Sequence, residues 1–412
     1  MVGPLQNIRV LDLTDQIAGS YCTKLLGDFG ATIFKIETSE TRNSIRSVDP
    51  AVNQATGLSD GILFNYLNTN KRSVALNIFS EWGKKVFFDA AMKSDVVVEN
   101  FNQGQWDELG LTPDKLRDAK TSLVITSIPM FEIGSPYSHW DLSELSLYGM
   151  SGLMSLVGGT DKPPIKAGGN QAQNMAGAHA AAITLFSIYS SIVTGVGARV
   201  ESPVITSSAK FYTHMSNYMA PEVDSSDTPA DVRREKSNSV LPTKDGFVTV
   251  TIYYFQVKKI GELIGISDLD KDSRFSSDKN FKKNEQTLKK LIAKWLLTHT
   301  SDLAQDLAQK HHLLITKVNT TKDLLELDHL KNRSYFQSVN HPGLGNLDLP
   351  GAPFKFSDTF MDPISAAPVL GEANSDFFDF LGYSQEELNL LDMGVGDMKY
   401  GSHKPDEEML HS

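Results

Sequence analysis

The chain has 412 residues, 40% of them apolar and 22% charged, which is enough for a sizeable core and too apolar for a disordered protein. Its net charge is -11, and no run of Lys or Arg forms a basic stripe, so nucleic acid and anionic membrane surfaces are disfavoured as partners. The single cysteine, Cys22, excludes an internal disulfide and a cysteine-based metal site, and with the length it points to a cytoplasmic protein of two domains, or of one large domain with an insertion.

The opening "MVGPLQNIRVLDLT" has neither the basic nor the apolar segment of a signal peptide. Within it, "IRVLDL" (8–13) is a short β-branched run that predicts a strand. A helix-like segment follows, "YCTKLLGDFG" (21–30), closing on Gly30, and then a second strand, "ATIFKIE" (31–37). The pattern recurs: "SVALNI" (73–78), the helix "EWGKKVFFDAAMKS" (81–94), and the strands "DVVVENF" (95–101) and "SLVITSI" (122–128). Alternating strands and helices predict a parallel sheet covered on both faces, and right-handed crossovers make it doubly wound. No G-x-G-x-x-G follows the first strand, so a nicotinamide cofactor is not indicated. The apolar stretch 178–193 is broken by His179, Ser187 and Ser190, falls short of the roughly 20 residues of a membrane span, and predicts a buried helix.

The character changes after about residue 202. "EVDSSDTPADVRREKSNS" (222–239) is polar and turn-rich and predicts a linker. "GFVTVTIYYF" (246–255) predicts a strand of mixed burial. The Lys-rich, amphipathic sequence up to about 328, ending in "HHLLITKVNTTKDLLEL", predicts a small α+β unit. The stretch 335–359 is loop-rich and returns to the first domain, and a last helix, "SQEELNLLDM", opens with Ser384 and Glu387 at capping-box spacing. The predicted division is a large Rossmann-like α/β domain from 1–202 and 331–412, and a small α+β domain with linkers from 203–330.

Several of these segments together resemble the class III CoA-transferase family, which includes formyl-CoA and carnitine CoA-transferases and acyl-CoA racemases. They are "IRVLDLTDQIAGSYCTKLLGDFGATIFKIE", "NTNKRSVALNI", "DVVVENFNQGQWDELGLTPDKL", "MSGLMSLVGGTDKPPIKAGG", "TGVGARVES", "HPGLGNLDLPGAPFKFS" and "PVLGEANSDFFDFLGYSQEEL", in the family's order over most of the chain. The resemblance implies a large α/β domain made of both chain ends, an inserted small domain, and an interlocked dimer. It also implies acyl-CoA chemistry, in which an aspartate attacks the thioester to give a mixed anhydride and then an aspartyl-CoA thioester. In the racemases an aspartate at the same place serves as an acid-base group.

Between the anchors "PPIKAGG" and "AGAHAAA" that aspartate position falls on Gln173, and no Asp or Glu lies between Asp161 and Glu201. An amide is neutral and can neither attack a thioester nor take up a proton at neutral pH; it can only hydrogen-bond. Two places that are commonly basic in the family's CoA site hold Asn102 and Glu108, and "RREKSNSVLPTKDG" carries no glycine-rich lid before its "DG". The candidate CoA contacts are Ala18, Lys71, Arg72, Asn100 and Phe101. Lys71 and Arg72 read either as phosphate contacts or as a solvated turn; Asn100 and Phe101 end a strand at the edge where open α/β sheets bind ligands. Glu144 stands where relatives often have an acid, and reads as a structural group or as a substitute nucleophile. His179 reads as packed on the Ala-rich helix, and the adjacent His311 and His312 as surface rather than metal ligands; no metal-ligand spacing occurs.

Three functions fit. One is a catalytically silent subunit of a heteromeric CoA-transferase, paired with an active paralogue, that moves CoA from a succinyl-CoA-like donor to a carboxylic acid. The chain resembles the non-catalytic subunit of the heteromer that activates benzylsuccinate in anaerobic aromatic degradation. A second is an active homodimeric acyl-CoA dehydratase, isomerase or racemase using Glu144 or Asp141. The third is a CoA-binding structural protein. None requires a covalently bound cofactor.

Overall fold

The strand β1 (Arg9–Asp12) is buried on both faces from Val10 onward, as expected of the central strand of a sheet covered on two sides. The computed structural model describes residues 3–38, 45–47, 50–52, 59–102, 104–158, 162–210, 238–357 and 364–384. In chain order β1 is followed by α1 (Ile17–Asp28), β2 (Thr32–Glu37), α2 (Ile62–Leu67), β3 (Lys71–Ala75), α3 (Glu81–Lys93), β4 (Val96–Glu99), α4 (Gln105–Leu109), α5 (Pro113–Ala119) and β5 (Val124–Ser127). Next come α6 (Glu144–Met150), α7 (Gln171–Thr194), β6 (Arg199–Glu201) and α8 (Val204–Lys210).

Six strands pair in the order β3-β2-β1-β4-β5-β6, and every pairing is parallel. The chain runs outward from β1 to β3, then restarts on the other side of β1 with β4. That reversal is the topological switch point of a doubly wound sheet, and it leaves a crevice outside the carboxyl ends of β1 and β4. Alternate strand residues serve the two faces. Leu11, Phe34, Val74, Val97 and Ile125 pack with Val86, Phe87 and Ala90 of α3 and with Phe377 and Leu381 of the returning chain end. On the other face α7 lies along α1 and touches β5 and β6. Each fully buried Leu, Val or Phe contributes about 1.5–3 kcal/mol relative to exposure, so this apolar layer dominates the stability of the sheet.

Helix boundaries follow local chemistry. Ser80 caps α3 by accepting from the Gly83 N–H, and Thr112 caps α5 ahead of Pro113. Helix α1 starts before the predicted segment and ends at Asp28, with Gly30 at φ 97 turning the chain into β2. The returning segment is stitched to β3: Ser73 Oγ accepts from Gly371 N–H, Ser73 O accepts from Ala373 N–H, and the Asn374 side chain accepts from Ala75 N–H.

Two compact units emerge, 1–153 with 166–219 and 337–412, and 154–165 with 220–336. The smaller unit includes the short stretch 154–165, and α8 belongs to the larger unit. The smaller unit holds β7 (Asn238–Pro242), β8 (Phe247–Thr251), α9 (Val257–Ile264), α10 (Asp278–Leu296), α11 (Ser301–Lys310) and β9 (Leu314–Lys317). Its antiparallel sheet, in the order β9-β8-β7, buries Val248, Val250 and Ile315 against Ile260, Leu288 and Ile292.

Three expectations need correction. Strand β7 begins inside the segment read as linker. The loop-rich stretch contains a hairpin, β10 (Phe336–His341) and β11 (Gly345–Pro350), whose turn is organised by His341 Nδ1 accepting from Gly343 and Leu344 N–H. Helix α7 is not buried all round: its first half packs with small residues, while Phe186, Tyr189, Ile192 and Val193 of its second half are 64–70% exposed. By length and hydropathy α7 could also cross a membrane, although its Ala/Gly face is committed to α1 and the sheet. The segment read as the last helix lies, apart from Ser384, outside the described residues.

Candidate functional site

The sequence places charge at the switch point, and the structure separates that charge into an interior cluster and an open cleft. Asp12, the last residue of β1, is fully buried. Its carboxylate accepts from Thr14 Oγ1 at 2.7 Å, Thr23 Oγ1 at 2.7 Å and Lys71 Nζ at 3.0 Å, with Lys35 Nζ at 3.9 Å. Burial alone would raise its pKa, but Lys35, Lys71 and the two hydroxyls hold it well below the ordinary carboxylate range. Lys71 also donates to Ser20 O, Thr23 Oγ1 and Asn68 Oδ1, and burial pushes its ammonium down to about 8 against the pull of Asp12.

Lys71 is therefore not part of a solvated turn. It opens β3 at the amino edge of the sheet, and its side chain points inward to tie β1, α1 and α2 together. Arg72 stays at that edge, more than half exposed and 3.7 Å from Asp376. An open groove of about 280 Å3 runs past both residues, on the side of the sheet away from the crevice. Lys71 and Arg72 thus do not converge with Asn100 and Phe101.

The cleft forms where β1 and β4 end. Asp15 and Asn100 clasp one another across it: Asp15 N–H donates to Asn100 Oδ1 at 3.0 Å, and Asn100 Nδ2 donates to the Asp15 carboxylate at 2.8 Å. Asn100 is thus a strut between two loops. The neighbouring Glu99 is buried; it accepts from Ser127 Oγ, from Phe101 N–H at 2.6 Å and from Trp106 Nε1 at 3.2 Å. Burial pushes its carboxyl up despite these bonds. They fix Phe101, which with Gln16 and Asn102 lines two adjoining chambers. One, of about 120 Å3, reaches Lys35, Glu37 and Phe79; the other, of about 190 Å3, reaches Phe131, Trp140 and Asp141. In the first, burial would raise Glu37, but the two-pronged contact with Arg46, aided by Lys35 and Ser73, holds its pKa below normal. Lys35 donates to Thr14 O at 2.6 Å. Glu108 lies exposed on α4, outside both chambers.

Gln173 sits in the first turn of α7 and is 7% exposed. The start of this helix is held from three sides. The Glu144 carboxylate accepts from Ala172 N–H at 2.9 Å and Gln173 N–H at 3.4 Å, where the helix dipole favours an anion. Ser208 Oγ donates to Ala172 O at 3.2 Å. Gly177 lets α7 approach α1 closely, since a Cβ there would stand 2.5 Å from Ala18 O. Ala18 is itself buried in that contact. Among the described residues no group hydrogen-bonds the Gln173 side-chain amide.

The remaining candidates are dispersed. His179 is half-buried on α7; His311 stands 3.9 Å from Glu262 at the end of α11, and His312 has φ 55 in the turn that follows. Among the described residues no group of three or more His, Cys, Asp or Glu stands together as a metal site. Cys22 is buried, and burial pushes its thiol up to about 12, so it is inert at neutral pH. Sequence reading missed Gln16, Phe131 and Trp140. A "WD" in an irregular loop has no periodicity to mark it, and only the turn after β5 brings that loop to Phe101.

The parallel order and the crevice at its reversal define a doubly wound α/β protein of the Rossmann type. The profile of CoA-transferase family III matches residues 5–374, and the chain belongs to that family. It is 30% identical over 413 residues to a formyl-CoA:oxalate CoA-transferase from Streptomyces avermitilis, covering 95% of this chain and 98% of that one. It is 26% identical to the BbsE subunit of succinyl-CoA:(R)-benzylsuccinate CoA-transferase from Thauera aromatica, covering 94% and 97%. Its fold matches the crystal structure of a CAIB/BAIF family protein from Brucella suis with a TM-score of 0.82, at 24% identity over 92% of this chain and 100% of that one.

Proposed function

We propose that this chain is the catalytically silent subunit of a heteromeric class III CoA-transferase, working beside an active paralogue that carries the nucleophilic aspartate. The observation that carries this reading is the start of α7. Gln173 occupies the position to which the resemblance assigns the nucleophile, and it is neutral. The carboxylate that reaches the same turn belongs to Glu144, and both its oxygens are engaged by backbone N–H groups. Using Glu144 as a nucleophile or acid-base group would strip the helix of its cap. The acyl-CoA would lie in the switch-point cleft, with a succinyl-CoA-like donor and a carboxylic acid such as benzylsuccinate as acceptor. The name of the Thauera relative, a subunit of such a transferase, supports this choice. The apolar flank of α7 supports a large partner surface, as in an interlocked dimer, since contiguous exposed apolar residues mark interaction sites.

Native mass spectrometry of the complex purified from its own host through this chain tests the proposal. A second chain of similar size with Asp in the equivalent loop is expected. Gln173→Ala in that complex should leave transfer within about tenfold of wild type, whereas removing the partner's aspartate should abolish covalent catalysis. Transfer by the isolated chain at about 1 per second or faster would overturn the reading. A second reading is an active homodimeric acyl-CoA dehydratase, isomerase or racemase using Glu144; the relatives named as formyl-CoA:oxalate CoA-transferases support an active enzyme of the family. In that case activity of the purified chain alone would disappear in Glu144→Gln. Tight CoA binding with neither partner nor turnover would instead indicate a CoA-binding structural protein.

A further inference from the structure

Helix α10 carries its lysines in two different settings. Its apolar side, Phe281, Leu288, Ile292 and Leu296, packs into the core of the smaller unit. Two lysines pair with acids of the same helix at i, i+4 spacing: Lys282 Nζ stands 2.7 Å from Asp278, and Lys289 Nζ 3.1 Å from Glu285. The helix has no further acid, so Lys279, Lys283, Lys290 and Lys294 are left without one. All four are exposed, and none forms an ion pair with a described residue. At about 3.6 residues per turn the four fall within about 60° of arc, on the side of the helix opposite its apolar face.

The spacing has a pattern. Lys279 and Lys283 stand about one turn apart, as do Lys290 and Lys294, and the centres of the two pairs are about 16 Å apart along the axis. Leu297, 55% exposed, follows on the same side and gives one end of the stripe an apolar contact. The arrangement is locally unfavourable: like charges at i, i+4 repel, and Lys279 in the first turn opposes the helix dipole. An anionic partner laid along the helix removes both penalties. The chain as a whole carries -11. A long polyanion such as nucleic acid, or an extended anionic bilayer, would run beyond the stripe's length of about 22 Å and meet that net negative charge. A short acidic segment fits within the stripe.

We propose that this face of α10 is a docking surface for an acidic helix of another protein. The complementary helix carries carboxylates at the same intervals, four, seven and four residues apart, and an apolar residue beyond one end to meet Leu297. Exposed charge pairs are individually weak and screened by salt, so the contact is reversible and serves to orient the partner rather than to hold it permanently. The inference goes beyond the transferase reading and does not depend on it, because the contact requires neither CoA nor turnover.

The probe is an Ala-based helical peptide of about 20 residues with Glu at those intervals and a Leu beyond the last; the control has the same composition with its Glu residues spread around the helix. Both are titrated against the full chain by fluorescence anisotropy at about 20 mM salt. The patterned peptide is expected to bind with a Kd below about 1 mM, about tenfold or more tightly than the control, and to weaken about tenfold at about 300 mM salt. Lys283→Glu with Lys290→Glu should weaken it about tenfold or more. Lys310→Glu with Lys322→Glu, an equal change of net charge on exposed residues off the stripe, should weaken it less than about threefold. The comparison of the two peptides uses the wild-type chain, so it decides should a variant fold poorly. Equal binding of the two peptides, equal losses in the two double variants, or no saturable binding would overturn the proposal. So would tighter binding of oligo-dT or of phosphatidylserine vesicles, either of which would make the stripe a surface for extended polyanions.

Discussion

Asp12 and Asp15 are near neighbours on the chain, yet their surroundings are opposite. Asp12 is sealed inside the sheet with two lysines and two hydroxyls. Asp15 stands at the cleft, part-buried, sharing hydrogen bonds with Asn100 and forming no ion pair with any described lysine or arginine. The difference lies in where the cations went. A buried carboxylate must be matched by charge and hydrogen bonds, and β2 and β3 each deliver a lysine to do so. Lys71 is thereby drawn into the interior, and Lys35, although it borders one chamber of the cleft, is held against Asp12 and Thr14 O. The interior cluster serves the fold.

The most severe way to break this contrast is to remove a cation from the interior. Lys71→Met leaves Asp12 buried with only the more distant Lys35, and should cost about 3 kcal/mol or more in urea unfolding at pH 7. Adding Asp12→Leu to it should recover much of that loss; a double variant as unstable as the single one would contradict the account. Acid sharpens the contrast next. Because the folded pKa of Asp12 is depressed, its stabilisation is fully present above the unfolded value near 3.8 and is lost as pH falls below it. The unfolding midpoint of Asp12→Asn should therefore drop less between pH 5 and 3 than that of the wild type. At the cleft, Asn100→Ala removes the strut to Asp15 and should cost about 1–2 kcal/mol, with the change in urea midpoint as readout. Smallest of all, Arg72→Ala breaks a pair exposed on both sides and should shift stability by less than about 0.5 kcal/mol.

Much of the larger unit could be read from the sequence because its signals are local. The runs "RVLD", "VVVE" and "VITS" are too apolar for a sheet with one wet face, and the helices between them close on recognisable caps. The candidate site was legible only in part. Glu144 announces itself as the first-turn acid of its own helix, but the helix it caps begins far along the chain at Gln171. Lys71 looked like a turn residue because nothing in "NKRS" says which way a lysine at the start of a strand will point. The exposed flank of α7 was hidden by composition, since an apolar helix looks the same whether its second face meets the core or is left uncovered.

Helix α7 joins these observations mechanically. Its 24 residues make a rod about 36 Å long. One end is clamped by Glu144, Ser208 and the Gly177 contact with α1, and the other carries Phe186, Tyr189, Ile192 and Val193 to the surface. An α-helix is stiff along its axis, so a load applied at the apolar end is delivered to the turn that holds Gln173 rather than absorbed on the way.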